Sequence, residues 1–308
     1  MEIALQFVLL ALGFVMLGKG ADWFVEGAAG IAMRFGIPQL VIGLTIVAMG
    51  TSAPEAAVSI AAAVKGNADI TIGNILGSNI LNILVILGLA AFIVPIAVAR
   101  STVRIEIPFM IAVTALLFYQ GRDGSISLAD GGVLMVAFAA YMMYLYTMAM
   151  KSNVDSDLEE PGLPLGRCLL GAVGGLALII AGSNVTVGAA TSIATYAGLS
   201  ERFIGLTIVA LGTSLPELFT SVAAARRGNA DIAIGNIVGS NIFNILFVVG
   251  LSSLIIDIPF ASAFNFDTYV ALGAAVLLWL CVLRTQRLQR WAGALMLVCY
   301  AAYLGYIL

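Results

Sequence analysis

At 308 residues, 61% hydrophobic, 10% charged and with a mean hydropathy of +1.08, the chain lacks the polar surface that water-soluble domains keep with about 25% charged residues. A formal net charge of -3 is too small to point to a polyionic partner, and with no histidine there can be no imidazole metal site, histidine proton relay or Ser-His-Asp catalysis. Soluble enzymes, nucleic-acid readers and disordered chains are excluded. The bilayer is the solvent, and at roughly 30 residues per span and connection the length suggests about ten helices.

The first apolar run, residues 2–34, has no basic start and reads as a membrane span, not a cleaved leader. It exceeds the hydrocarbon thickness and must tilt or bend. Within it Lys19 and Asp22 stand three apart and read as an intrahelical ion pair. Further spans are expected at 39–64, 70–94, 104–120 and 129–150. A short hydrophilic stretch, Lys151–Arg167, then separates these from spans at 165–197, 201–225, 232–256, 267–283 and 291–307. Asn67 with Asp69, and Asn229 with Asp231, precede apolar helices and are expected to cap them. Cys168, Cys281 and Cys299 are too dispersed for a disulfide framework or zinc site and read as apolar filling.

A shift of 162 residues aligns 43–89 with 205–251 without a gap, and 33 of those 47 positions are identical. GLTIVAMGTSAPE returns as GLTIVALGTSLPE, and GNADITIGNILGSNILNIL as GNADIAIGNIVGSNIFNIL. Five spans per unit is an odd number, so the second unit enters the membrane in the opposite sense. The expected fold is an all-α integral membrane protein of ten transmembrane helices arranged as two inverted five-helix repeats. Residues 1–150 form the first, 151–164 the connector and 165–308 the second. With both termini outside, ten basic residues, including Arg34, Arg100, Arg104, Lys151, Arg226 and Arg284, face the cytoplasm. Only Lys65, Arg122 and Arg202 face out, so the 151–167 linker is expected to be cytoplasmic in a multi-pass cell-membrane protein.

Carboxylates inside spans are costly and usually functional, and Glu55 and Glu217 sit mid-span at matching repeat positions. Each follows a proline, Pro54 or Pro216, which has no amide hydrogen and frees carbonyls around Ala48–Thr51 and Ala210–Thr213. Helical spacing lines up Ala48, Thr51, Ser52, Glu55 and Ser59, with Ala210, Thr213, Ser214, Glu217 and Ser221 as counterparts. In GN-x-x-GSN-x-x-N, Asn74, Ser78 and Asn82 fall on one face, repeated by Asn236, Ser240 and Asn244. Carboxylates, hydroxyls, amide oxygens and carbonyls are what a hard cation takes as ligands. Two carboxylates balance one divalent ion, and calcium or several sodium ions would relieve their mutual repulsion. Gly73 and Gly77, in GxxxG spacing, are assigned to helix packing.

These motifs and the duplication resemble the calcium/cation antiporters, specifically the short prokaryotic sodium/calcium exchanger type. The resemblance implies a secondary antiporter that exchanges Ca2+ for Na+ by alternating access, without cofactor, nucleic acid or identifiable protein partner beyond membrane lipid. It implies Glu55 and Glu217 as principal ligands, main-chain oxygens of Thr51 and Thr213 completing a calcium site, and Ala48, Ser52, Ser78, Ala210, Ser214 and Ser240 serving sodium. Asn82 and Asn244 would flank the centre. The potassium-dependent branch commonly has Asp at these last two positions, so Asn argues against potassium co-transport. A Ca2+/H+ exchanger using the same glutamates and a passive cation channel are the competing readings. An intramembrane enzyme lacks a nucleophile beside a base.

Overall fold

The computed structural model describes residues 2–66, 68–152, 163–198 and 210–307, with Glu2, Asp69, Ser152 and Ala210 described by their backbone alone. In chain order its helices are α1 (Glu2–Arg34), α2 (Gln39–Thr51), α3 (Ala53–Val64), α4 (Ile70–Ile93), α5 (Thr102–Asp123) and α6 (Leu128–Lys151). They continue as α7 (Leu165–Tyr196), α8 (Ala210–Thr213), α9 (Leu215–Arg226), α10 (Ala230–Ile255), α11 (Phe264–Leu283) and α12 (Arg290–Ile307). Eight are long and apolar enough to cross a bilayer, and α2 with α3, bent by 50°, makes a ninth candidate among the described residues. The expected span at 201–225 falls partly on 201–209, outside the described residues, as does most of the connector.

Burial sorts the helices into layers. The most apolar window of α10 is 94% buried and that of α4 78%, against 17% for α1, α6 and α12, so the two GN-x-x-GSN helices form the centre. The outer helices present Phe7, Val8, Val136, Leu170 and Val298 outward, as a lipid-facing surface requires. Two short antiparallel ladders, not expected from the sequence, tie the halves together: Ile96–Ala97 pairs with Arg287–Leu288, and Ser125–Ile126 with Ile258–Pro259. Each joins an interhelical connection of the first half to one of the second, which puts each pair of connections at the same end of the bundle.

The tightest helix pair is α1 with α7. Glycines recur every seven residues on α1 as Gly13, Gly20 and Gly27, and Gly175 and Gly182 hold the first two of these positions in the second unit. A Cβ on Gly20 would lie 2.9 Å from the Gly175 carbonyl oxygen, one on Gly27 2.4 Å from Ala172 N, and one on Gly175 2.5 Å from Phe24 N. Small residues let backbones touch where lipid offers no hydrophobic drive to association. Gly175→Ala should therefore force the helices apart and cost about 1–3 kcal/mol, read as a lower unfolding temperature in detergent. Gly174→Ala, whose Cβ meets nothing within 4 Å, should leave it unchanged.

Gly235 and Gly239 of α10 pack as expected, their added Cβ atoms falling 3.1 Å from Gly43 Cα and 2.8 Å from Leu44 Cα. Among the described residues a Cβ on Gly73 would meet only the Phe264 ring, at 3.4 Å, and one on Gly77 nothing within 4 Å, so the pair assigned to packing shows no close backbone approach there. The capping expectation needs correction. Asn229 occupies the N-cap of its helix but its side chain makes no capping bond, Ala68 takes that place in the first half, and Asn67 lies outside the described residues.

Candidate intramembrane site

Both GTS-x-PE segments break their helix at the serine. Ser52 (φ -82°, ψ 5°) separates α2 from α3, Ser214 (φ -91°, ψ 4°) separates α8 from α9, and each proline falls in the first turn of the second helix. Proline is tolerated there because first-turn amides have no helical acceptor. The breaks aim Glu55 and Glu217, each 1% exposed, into the middle of the bundle from opposite halves.

The two halves serve each other reciprocally. The Ser52 hydroxyl donates to Glu217 Oε1 at 2.9 Å, and the Ser214 hydroxyl donates to Glu55 Oε1 at 3.2 Å. The second oxygen of each carboxylate, Oε2, is buried with no hydrogen-bond partner. Thr51 Oγ1 donates to Asn236 Oδ1 at 3.0 Å, and the Ser240 hydroxyl donates to the Ala48 carbonyl at 3.3 Å. Asn74 Nδ2 donates to Ser59 Oγ and Asn236 Nδ2 to Ser221 Oγ, both at 2.9 Å, holding each asparagine to the helix that carries the glutamate.

Asn79 and Asn241, the third residues of the GSN triplets, were not singled out by sequence, and they organise the centre. Asn79 Nδ2 donates to the Asn241 carbonyl and Asn241 Nδ2 to the Asn79 carbonyl, both at 3.2 Å. Their side-chain oxygens accept from the amides of the flanking pair, Asn82 Nδ2 to Asn241 Oδ1 at 2.9 Å and Asn244 Nδ2 to Asn79 Oδ1 at 3.1 Å. With its donor committed, each outer asparagine is left with a buried, unpartnered Oδ1. Asn82 and Asn244 each open a π-helical stretch, Asn82–Leu87 and Asn244–Val249, of a kind frequent at functional sites. The signal was present in the motif, but the sequence does not say which of its asparagines bridge and which remain open.

Of the other residues singled out, Thr51, Ser52, Ala48, Ser78 and Ser240 are all buried near the breaks. Thr213 is half-buried and lines a cavity of about 690 Å³ together with Pro54, Ala57, Ser183, Asn184 and Gly212. The Ala210 side chain is not described. The freed carbonyls are less available than expected. Ser52 N–H and the Ser240 hydroxyl both engage Ala48 O, and Ser183 Oγ, from α7, donates at 2.6 Å to the Gly212 carbonyl that Pro216 cannot serve.

Two further corrections concern charge. Asp22 does not pair with Lys19; it accepts from Arg227 Nε at 3.1 Å, while Glu26 accepts from Arg227 Nη1 at 3.1 Å. An arginine just past the end of α9 competes successfully because α1 packs along α9. A third buried carboxylate, Glu106 on α5, escaped the sequence reading although the same rule on intramembrane acids applies to it; it accepts the Tyr144 hydroxyl and lies outside the central site.

A site built from two carboxylates and a ring of hydroxyl and amide oxygens can be set beside known proteins. A sequence profile of the Sodium/calcium exchanger protein family matches residues 5–147 and 168–308. The chain belongs to the sodium/calcium exchanger family. It is 33% identical over 346 residues to the Sodium/calcium exchanger MaX1 of Methanosarcina acetivorans, with 98% of both chains covered. It is 41% identical to the Inner membrane protein YrbG of Escherichia coli over 80% of this chain and 79% of that one. Among solved structures it is similar to the sodium-calcium exchanger NCX_Mj soaked without Na+ and Ca2+, with a TM-score of 0.87, 33% identity, and 99% and 100% of the two chains covered. As a member of this family the chain is an ion-transporting antiporter of membrane helices.

Proposed function

We propose that the protein exchanges Ca2+ for Na+ across the cell membrane by alternating access, with the ions held mid-membrane between Glu55 and Glu217. The observation that carries this is the set of four buried acceptors without partners, Oε2 of both glutamates and Oδ1 of Asn82 and Asn244. Buried acceptors left unpaired are costly, and cations bound among them would relieve that cost. In this reading main-chain oxygens of Thr51 and Thr213 complete a calcium site, and oxygens of Ala48, Ser52, Ser78, Ala210, Ser214 and Ser240 serve sodium. The reciprocity of the contacts supports two inverted five-helix units, 1–150 and 165–308.

Two carboxylates with one calcium sum to zero charge, while three sodium ions on the same pair leave one positive charge, worth about 2.3 kcal/mol per 100 mV across the membrane. In proteoliposomes a sodium gradient should drive calcium uptake without potassium, sodium on the calcium side should inhibit, and the flux should follow imposed voltage. A flux that ignores voltage would indicate two sodium ions per calcium. One that follows a pH gradient and ignores sodium would make the protein a proton-coupled exchanger, and uncoupled calcium flow would make it a channel.

The same reading places both termini outside and the 151–167 linker in the cytoplasm. The pairing of the two ladders supports it, since one gathers connections carrying Arg100, Arg284 and Arg287 and the other those carrying Arg122, Asp123 and Asp257. A membrane-impermeant thiol reagent applied to intact cells should label Asp257→Cys and spare Asp155→Cys. The opposite pattern inverts the orientation.

A further inference from the structure

Two clefts flank the central site at repeat-equivalent places. One, of about 690 Å³, runs between α7 and α3 and reaches Thr213 and Pro54. The other, of about 580 Å³, runs between α1 and α9, lined by Phe14, Gly18, Ala21, Asp22, Phe219 and Arg227, and reaches none of the residues of the GTS-x-PE breaks. Arg227 spans the mouth of this second cleft, joined from the end of α9 to Asp22 and Glu26 on α1 at 3.1 Å each. Moving back 162 residues from Arg227 gives Lys65, and moving forward from Asp22 and Glu26 gives Asn184 and Gly188. Asn184 and Gly188 line the first cleft, so α7 offers no acid at the places equivalent to Asp22 and Glu26, and among the described residues Lys65 makes no ion pair.

We propose that Arg227, Asp22 and Glu26 form a one-sided latch that closes the α1–α9 cleft and biases the carrier toward the state in which only the α7–α3 cleft reaches the ions. The latch rests on the exchange reading for its purpose, and on the proposed orientation for its assignment to the cytoplasmic face. Its geometry needs neither. Because α1 and α7 are in backbone contact, closing one cleft and opening the other can be a single movement of that pair. The three side chains are 37–50% exposed, so each ion pair is weak and screened, which suits a contact that must break in every cycle. Two such pairs together shift the balance of states about tenfold, equivalent to about 1.4 kcal/mol.

The test reads cleft accessibility and needs no transport. In purified protein with Cys168, Cys281 and Cys299 changed to serine, single reporters Val222→Cys and Ala57→Cys sample the α1–α9 and α7–α3 clefts. Arg227→Gln should raise the thiol-labelling rate of the first about tenfold and lower that of the second. Raising salt toward about 1 M, where the Debye length is about 3 Å, should act in the same direction. The charge-swapped triple variant Asp22→Lys, Glu26→Lys, Arg227→Glu should restore the original rates. Asn184→Asp with Gly188→Glu, the latter having open space for a side chain, should build a second latch against Lys65 and slow labelling at Ala57→Cys. Rates unchanged in Arg227→Gln, or rates that rise in both clefts as general loosening would cause, would overturn the latch. The expected labelling in a parent protein that shows no sodium-driven calcium uptake in proteoliposomes would overturn the exchange reading alone.

Discussion

Glu55→Gln and Glu217→Gln should each abolish calcium exchange while leaving a folded protein. Glutamine keeps an oxygen at the site but removes one of the two charges that neutralise a divalent ion. At an effective dielectric constant of about 20, even a unit charge pair at about 4 Å is worth about 4 kcal/mol and a divalent ion doubles it, so calcium affinity should fall by at least roughly a thousandfold. The effect on folding should have the opposite sign. In ion-free detergent each glutamine variant should unfold at or above the temperature of the parent, because a buried carboxylate with one unpartnered oxygen is a cost that glutamine reduces. Calcium binding by calorimetry and thermal unfolding, measured on the same samples, separate the two. Near-normal calcium binding in either variant would remove that glutamate from the ion site.

The second large effect is expected at a residue that need not touch an ion. Asn241→Ala removes the acceptor for the Asn82 side-chain amide, leaving that donor buried without it in the middle of the bundle, and removes the second donor to the Asn79 carbonyl, which keeps the backbone N–H of Asn82. An unsatisfied buried donor costs about 1–3 kcal/mol, so a loss of stability of that order is expected. Asn82 would also be free to rotate, its Oδ1 no longer held open, and calcium exchange should fall at least about tenfold. Asn241→Asp keeps the acceptor but sets a buried carboxylate oxygen against the Asn79 carbonyl in place of the donor, so it should also lose stability. Should Asn241→Ala melt with the parent and exchange at its rate, the asparagine lattice would have no part in holding the site.

Composition fixes the solvent, the 162-residue repeat pairs Glu55 with Glu217, and the cost of a mid-membrane carboxylate makes both candidates for the site. The membrane helices and the meeting of the two glutamates' segments are found in the fold, because they depend on residue type and spacing along one chain, which periodicity and hydropathy report directly. The helix breaks at Ser52 and Ser214 were nearly legible, since proline chemistry is local. What the sequence leaves open is which groups meet across halves. Asn79 and Asn241 exchange amide-to-carbonyl bonds, whereas Asn82 only donates to Asn241 and keeps its own Oδ1 open, although all three have the same side chain, because the choice depends on how α4 and α10 cross. Asp22 pairs with Arg227, 205 residues away, instead of with Lys19 three residues away, because the packing of α1 against α9 brings a better-placed donor. Ser183 takes the Gly212 carbonyl because α7 passes beside the break in α8 and α9. The repeat determined which atoms are available in each half, and only the tertiary structure decided which of them are spent on one another and which remain without a partner, since a buried polar group is satisfied by whatever the packing of other helices brings within about 3 Å.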